Sequence, residues 1–139
     1  MKRIVLVGPS WPLRGGIART TTSLADALAA RGTLAAFLTP TRQYPRWLYR
    51  GSDVDPGACA RVGSAERAYA VLEPWTWPAL RRRIRAATPR AVVVPYWTYA
   101  WAPLLSRVLA WNAAPTVAVV HNPADHDASW LAQRAARGV

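Results

Sequence analysis

Short runs of apolar, mostly β-branched residues recur along the chain and predict buried strands. Residues 4–7 read Ile-Val-Leu-Val, and residues 91–94 and 116–120 repeat this pattern at strand length. Because these runs have no polar side, they are typical of strands buried on both faces of a parallel sheet. Residues 33–39 form another apolar run, and residues 58–62 predict a weaker third strand.

Helical patterns alternate with these strands. In residues 17–31 one helical face consists of Ile17, Thr21, Leu24 and Leu28. Gly32 follows as a C-terminal cap. Residues 102–111 predict another helix, and residues 128–137 begin one that the end of the chain cuts short. The alternation predicts an α/β fold with a doubly wound, mainly parallel, Rossmann-like sheet.

Residues 77–87 predict a helix whose two sides differ. The apolar side carries Trp77, Leu80, Ile84 and Ala87, and the opposite side carries Arg81, Arg82, Arg83 and Arg85. A basic face of this kind suits the anionic surface of a membrane. Nucleic acid is an alternative partner for the same face, and an ordinary solvated helix face is the third explanation.

Composition adds expectations about partners and compartment. The chain has 18 Lys and Arg residues against 7 Asp and Glu residues, for a net charge of +11. This excess favours an anionic partner. The single cysteine, Cys59, excludes an intrachain disulfide and fits a reducing compartment, so we expect the cytoplasm. The apolar runs are too short for a signal peptide or a spanning helix.

The length predicts one domain over residues 1–139. Within it, residues 40–57 are rich in Pro, Gly, Asp and Arg and predict an irregular surface excursion. Because the last predicted helix is truncated, we expect the chain to be a fragment of a larger protein.

Three predicted strands end in loops that contain unusual residues. These loops are residues 8–16 after the first strand, 95–98 after the fourth and 121–123 after the last. In a doubly wound sheet, ligands bind beyond the carboxyl ends of the strands, where the strand order reverses. If the first strand is central, the three loops lie side by side and line one cleft.

Two features of these loops can bind a ligand. Gly15 and Gly16 precede the first helix, where free N–H groups attract a phosphate or a sugar hydroxyl. A tight turn that merely starts a helix explains the same pair. His121 follows a strand, so its imidazole can donate to a sugar hydroxyl in the cleft or simply be satisfied at the strand end.

Other chemistry finds little support in the sequence. His126 lies between Asp125 and Asp127, but a solvated loop explains this triplet better than a cation site, and we expect no metal. Ser10 lacks the surrounding GxSxG pattern of a hydrolase nucleophile.

Residues 4–20, which read IVLVGPSWPLRGGIART, resemble the opening of a family 4-type glycosyltransferase of the GT-B fold. In that family a strand ends in Gly-Pro and a Gly-Gly pair precedes a helix. Residues 92–98, VVVPYWT, and residues 119–122, VVHN, are similar to the family in the same order. The resemblance covers almost the whole chain and identifies it as the N-terminal half of such an enzyme.

The resemblance implies a retaining enzyme of the hexosyltransferase type that transfers a sugar from a nucleotide-sugar donor to a glycan or lipid-linked acceptor. It implies no metal and no cofactor, the nucleotide-sugar being a co-substrate. The family's second Rossmann-like domain, which holds the donor, is missing here. We therefore expect the chain to be inactive alone or to act with a separate subunit, in the cytoplasm or at the inner membrane face.

The resemblance also implies roles for particular residues. His121 would contact the donor sugar and is the expected catalytic residue. Gly15 and Gly16 would face the donor phosphate and the acceptor. The expected substrate-binding residues are Arg14, Gly15, Gly16, Ile17, Trp97 and Asn122. Relatives often continue after His-Asn into Pro-His-Glu, which this chain lacks, so no role is expected for His126 or Asp127.

Two other functions remain compatible with the sequence. One is a basic α/β binding module for a membrane surface or nucleic acid, although the glycosyltransferase interpretation itself predicts no nucleic-acid partner. The other is a truncated product without function.

Overall fold

A computed structural model describes residues 3–47, 50–57, 65–111 and 113–121 of the chain. Within these residues the strands are β1 (Ile4–Val7), β2 (Leu34–Pro40), β3 (Ala65–Tyr69), β4 (Ala91–Tyr96) and β5 (Thr116–Val120). The α-helices are α1 (Gly16–Ala30), α2 (Trp77–Ala86) and α3 (Ala102–Trp111). Short 3₁₀ turns, Pro74–Thr76 and Tyr99–Trp101, lead into α2 and α3.

The five strands form one parallel sheet in the order β3-β2-β1-β4-β5. β1 is central, and Val5 lies between Ala36 of β2 and Val92 of β4. The chain builds the sheet outward from β1 to β3 and then crosses to β4 and β5, so the strand order reverses between β1 and β4. The predicted doubly wound α/β fold is confirmed.

The two faces of the sheet bury different amounts of side chain. Successive residues of a strand point to opposite faces, so Val5 and Val7 join a large core with α2 and α3, while Leu6 faces α1. The smaller core groups Leu6 with Phe37 and Ala25. The buried side of α2 is the apolar side predicted for it, and its four arginines are exposed.

The buried face of α1 differs from the predicted one. Its fully buried residues are Ala18, Thr21 and Ala25. Leu24, predicted to face the core, is 36% exposed. Bulky Leu6 and Phe37 of the sheet fill the space under the helix, so small side chains suffice on the helix side.

β4 extends further than the sequence predicts, through Pro95 and Tyr96, which were expected in a loop. Proline has no backbone N–H group, so it cannot donate a hydrogen bond to a neighbouring strand. Within a sheet it therefore occurs where its nitrogen faces no strand that needs this bond. β1 pairs with β4 only as far as Val93, so Pro95 has a single strand neighbour, β5. The strand therefore continues past the end of β1.

The third strand is also placed differently. The predicted strand at residues 58–62 lies outside the described residues, and the observed third strand is Ala65–Tyr69. Glu66 and Arg67 interrupt the apolar pattern by which strands are recognised, so the sequence did not predict a strand at these residues. β3 is an edge of the sheet, where charged residues are tolerated, and Glu66 forms an ion pair with Arg83 of α2 at 2.8 Å.

β5 has the predicted bounds but not the predicted burial. Val117 is 50% exposed and Val120 is 53% exposed. The reason is position, since β5 is the other edge of the described sheet, where β4 is its one strand neighbour among the described residues. The predicted helix at residues 128–137 lies outside the described residues. None of the described helices combines the length and the apolar character needed to cross a membrane.

Candidate functional site

The carboxyl ends of β1 and β4 touch at the point where the strand order reverses. A Cβ atom added to Gly8, directly after β1, would lie 2.7 Å from Cγ of Pro95 and 3.1 Å from Cγ2 of Thr21. Only a glycine fits this close approach. The end of β1 therefore lies against the end of β4, in agreement with the predicted central position of the first strand.

His121 directly follows β5, at the same carboxyl end of the sheet. Its backbone N–H donates to the carbonyl oxygen of Tyr96 at 2.8 Å, which ties the end of β5 to the end of β4. His121 also borders a cavity of about 40 Å³ whose wall includes Thr20, Thr21 and Pro95. A space of that size suits a water molecule rather than a sugar ring. A substrate at the exposed His121 would therefore lie outside this cavity, toward solvent.

The β1–α1 loop, residues 8–15, is anchored near its start by threonine hydroxyls. The N–H of Ser10 donates to Oγ1 of Thr39 in β2 at 3.0 Å, and the N–H of Trp11 donates to Oγ1 of Thr22 in α1 at 2.8 Å. These bonds replace a regular ladder where the chain leaves the sheet. These two hydrogen bonds thus hold the first half of the loop against β2 and α1.

The far end of the loop is open. Gly15 has φ 117° and ψ 159°, a conformation that side chains disfavour. A Cβ atom at Gly15 or Gly16 would meet nothing within 4 Å among the described residues. Among the described residues, no side chain caps the start of α1 with a hydrogen bond. The first turn of the helix also carries no acidic residue. The start of α1, with its positive dipole end, therefore has open space beside the two glycines.

The β2–β3 excursion, residues 41–57, braces the middle of this loop. Leu13 forms an antiparallel bridge with Val54, and the N–H of Asp55 donates to the carbonyl oxygen of Pro12 at 2.9 Å. Arg19 of α1 reaches across to Asp55, with 2.9 Å between Nη2 and Oδ2. The same guanidinium lies 5.0 Å from the ring centre of Trp11, a cation–π distance.

The charge of Asp55 is stabilised by its surroundings. The Gly57 N–H that donates to its Oδ1 at 3.0 Å lowers the pKa of the Asp55 carboxyl, and Arg19 lowers it further. Asp55 is therefore ionised at neutral pH. The Arg19–Asp55 pair joins the excursion to α1 through charge as well as through hydrogen bonds.

A larger cavity, of about 290 Å³, opens between the β1–α1 loop and the excursion. It is lined by Arg14, Gln43, Tyr44, Ser52 and Asp53. Sequence reasoning named Arg14 but missed the other four, because they lie in an irregular segment without a motif. The Pro, Gly and Asp content predicted that segment's irregularity, and nothing in it indicated a cavity.

The other predicted site residues have varied surroundings. Ile17 is half-buried in the first turn of α1. Trp97 is half-buried, with its ring centre 4.6 Å from that of Trp101, so it packs against the core. Asn122 and the Asp125–His126–Asp127 triplet lie outside the described residues. Within the described ranges, no three His, Cys, Asp or Glu residues form a group able to hold a metal ion.

The basic face of α2 is accompanied by an exposed aromatic residue. Arg81, Arg82 and Arg85 point to solvent, while Arg83 pairs with Glu66. Trp75, in the 3₁₀ turn before α2, is 75% exposed. Three of the four predicted arginines are thus exposed without an ion pair among the described residues.

Comparison with known proteins gives one family. The family model described as Glycosyltransferase Family 4 matches residues 14–138. The match begins at Arg14, so it includes Gly15, Gly16 and all of α1 as well as His121. No curated protein matches the chain.

Proposed function

The chain belongs to glycosyltransferase family 4, and from this premise we propose that it forms the acceptor-binding side of an enzyme that transfers a sugar from a nucleotide-sugar donor. The observation that carries the proposal is the open start of α1 at Gly15 and Gly16. It lies on the loop that begins beside Pro95, at the reversal of strand order. Open α/β sheets bind ligands at such a point.

In the proposed reaction, Gly15 and Gly16 lie next to the donor phosphate and the acceptor. The N–H groups at the start of α1 stabilise negative charge, which grows on the leaving nucleoside diphosphate as the bond to the sugar breaks. His121 donates a hydrogen bond to the donor sugar and so stabilises the sugar as the acceptor hydroxyl attacks it, while the proton of that hydroxyl passes to the departing phosphate. Transfer proceeds with retention and needs no metal.

The donor is held mainly by a second Rossmann-like unit, in the same protein or in a separate subunit. The small cavity at His121, about 40 Å³, supports this part of the proposal because it cannot enclose a nucleotide-sugar. Small-molecule sites usually measure about 300 to 1,000 Å³. We expect the chain by itself to transfer no sugar.

The proposed acceptor is a glycan or a lipid-linked saccharide, taken up on the cytoplasmic side of a membrane. Exposed Arg81, Arg82 and Arg85 beside Trp75 support a peripheral contact with anionic lipid. The same face supports the second candidate function, a binding module that makes no glycosidic bond.

Enzyme assays test the first function. The chain is purified alone and together with a donor-binding domain of the family, and nucleoside diphosphate release is followed over a panel of nucleotide-sugars and saccharide acceptors. We expect release only in the combined sample and a fall of about 10²-fold or more in kcat for His121→Ala. Val120→Ala, at the neighbouring exposed position, serves as the matched control and keeps its activity.

Two results would contradict the proposal. Sugar transfer by the chain alone would remove the need for a second unit, and full activity of His121→Ala would remove the role of the imidazole. Absence of transfer together with salt-sensitive binding to anionic vesicles would favour the binding module. Stronger binding to duplex DNA than to vesicles would make nucleic acid the partner of that module.

A further inference from the structure

The 290 Å³ cavity between the β1–α1 loop and the excursion is separate from the small cavity at His121. Its wall includes Arg14, the residue before Gly15 in the chain. Its volume lies near the lower end of the range for small-molecule sites, about 300 Å³, so it suits a single ring rather than a nucleotide-sugar.

Hydrogen bonds hold the walls of this cavity in place. The side-chain amide of Gln43 donates to the carbonyl oxygen of Arg14 at 2.9 Å. The N–H of Gln43 donates to Oδ2 of Asp53 at 3.0 Å, and the N–H of Arg14 donates to the carbonyl oxygen of Asp53 at 2.7 Å. These three residues therefore brace one another across two segments of chain. A site braced in this way loses little conformational entropy when a ligand binds.

The charge of the cavity differs from that of the chain as a whole. The chain carries a net charge of +11, whereas the cavity wall contains one guanidinium, on Arg14, and one carboxylate, on Asp53. An anion such as phosphate would be attracted by Arg14 and repelled by Asp53. The balance of charges favours a ligand without net charge.

The polar groups of the wall match hydroxyl groups. A sugar hydroxyl both donates and accepts, and the wall offers the donors of Arg14, the acceptors of Asp53 and the hydroxyl of Ser52. One carboxylate has room for more donors than the single N–H that Oδ2 of Asp53 receives. Tyr44 adds an exposed ring on which the apolar face of a sugar can lie.

We infer that this cavity binds the acceptor through one uncharged sugar or cyclitol ring, held by Asp53 and Arg14. The inference rests on the proposed function for its link to transfer, but binding itself needs neither donor nor second domain. It makes the excursion, rather than the glycine pair, the element that selects the acceptor.

Binding is tested on the chain by saturation-transfer difference NMR. The probes are methyl glucoside, methyl mannoside, methyl galactoside, methyl N-acetylglucosaminide and myo-inositol, with inorganic phosphate as a competitor. We expect at least one probe to bind and phosphate not to displace it. Asp53→Asn keeps an oxygen for the Gln43 N–H but loses the charge, and it should weaken binding by about tenfold. Arg14→Gln should do the same.

Asp26→Asn and Arg107→Gln make the same chemical changes at exposed helix positions and should leave binding unchanged. The inference is overturned if no probe binds the folded chain, if phosphate displaces the sugar, or if Asp53→Asn binds as well as the unmodified chain. If the sugar probes bind but the chain combined with a donor-binding domain transfers no sugar, the result would count against the proposed function alone. An unchanged acceptor KM for Asp53→Asn in an active enzyme would count against this inference alone.

Discussion

The two ends of the β1–α1 loop are both marked by glycine, yet they differ in every physical respect. At Gly8 the backbone is pressed against Pro95, and an added methyl group has no room. At Gly15 and Gly16 an added methyl group would meet nothing among the described residues. One end of the loop is built into the core of the fold, and the other faces solvent.

This difference separates two reasons for a glycine. Gly8 is required because two strand ends approach closely, so its role is in folding. Gly16 is not required by any packing within the described residues, which leaves the approach of a ligand as the reason that fits the proposed function. A Gly-Pro and a Gly-Gly look equally suggestive in the sequence, and only their surroundings distinguish them.

The largest effect is expected for Gly8→Ala. The new Cβ would lie 2.7 Å from Cγ and 2.9 Å from Cδ of Pro95, a rigid ring that cannot turn aside. Overpacking of this kind lowers the free energy of unfolding by about 1–3 kcal/mol, which urea denaturation measures. Adding Pro95→Ala should restore part of the loss. A double variant no better than the sum of the single changes would show that the clash is not the cause.

A smaller loss is expected for Gly15→Ala. Space is available, but φ of 117° with ψ of 159° is a region that alanine disfavours by about 1–3 kcal/mol. Because the loop is open here, it can relax, and we expect a value near the lower limit. Thermal unfolding measures it, and Pro95→Ala should give no rescue. Rescue by Pro95→Ala would mean that the two ends of the loop are coupled.

Acid should loosen the middle of the loop without affecting the Gly8 end. The pKa of Asp55 is lowered in the folded chain by the Gly57 N–H and by Arg19, so its stabilising contribution is present above the ordinary carboxyl pKa. That contribution is lost as the pH falls below about 4 and through the lowered pKa. Protection of the Arg14 and Asp55 amides against exchange, measured relative to the intrinsic exchange rate at each pH, should therefore fall in acid, while the Gly8 amide stays protected.

Asp55→Asn should show the same loss of amide protection already at pH 7 and a weaker further loss in acid, with Asp26→Asn as the matched control. The change in global stability should be smaller than for Gly15→Ala, because an exposed ion pair contributes little. Protection of the Arg14 amide that changes neither with pH nor with Asp55→Asn would show that the excursion does not brace the loop.

The smallest effect on stability is expected for Gly16→Ala. No neighbour obstructs the methyl group, and alanine favours a helix over glycine by up to about 1 kcal/mol, so the melting temperature should stay or rise slightly. Sugar transfer by the combined enzyme should nevertheless fall at least tenfold, because the methyl group stands where the ligand approaches. Ser23→Ala, at an exposed position in the middle of α1, is the control. Equal activity of both variants would leave the open end of the loop without a function.

The elements that sequence reasoning predicted well are those whose burial repeats regularly. β1 is fully apolar and proved central, and α2 separates its arginines from Trp77, Leu80 and Ile84 as its period requires. The contact between the β1 and β4 ends follows from the strand order, so the place of the candidate site was also predictable from the pattern.

The parts that sequence reasoning missed depend on position in the sheet or on distant contacts. β3 carries Glu66 and Arg67 because it is an edge strand, and β5 is exposed for the same reason, although its residues read like those of a buried strand. Asp53 lines a cavity only because the excursion folds back onto Arg14. No periodicity records such a contact, since it joins segments that are far apart in the chain.

The central place of β1 also affects how the chain is made. Ile4 pairs with Leu34 on one side and with Ala91 on the other, so β1 leaves the ribosome well before β4 and receives its second neighbour late. At synthesis rates of about 5–20 residues per second, the gap between the two pairings lasts roughly 3 to 11 s. During that time Val5, Leu6 and Val7 present an unpaired apolar edge to other nascent chains. Slower translation would lengthen this exposure, and a holding chaperone that covers the edge would raise the yield of folded protein.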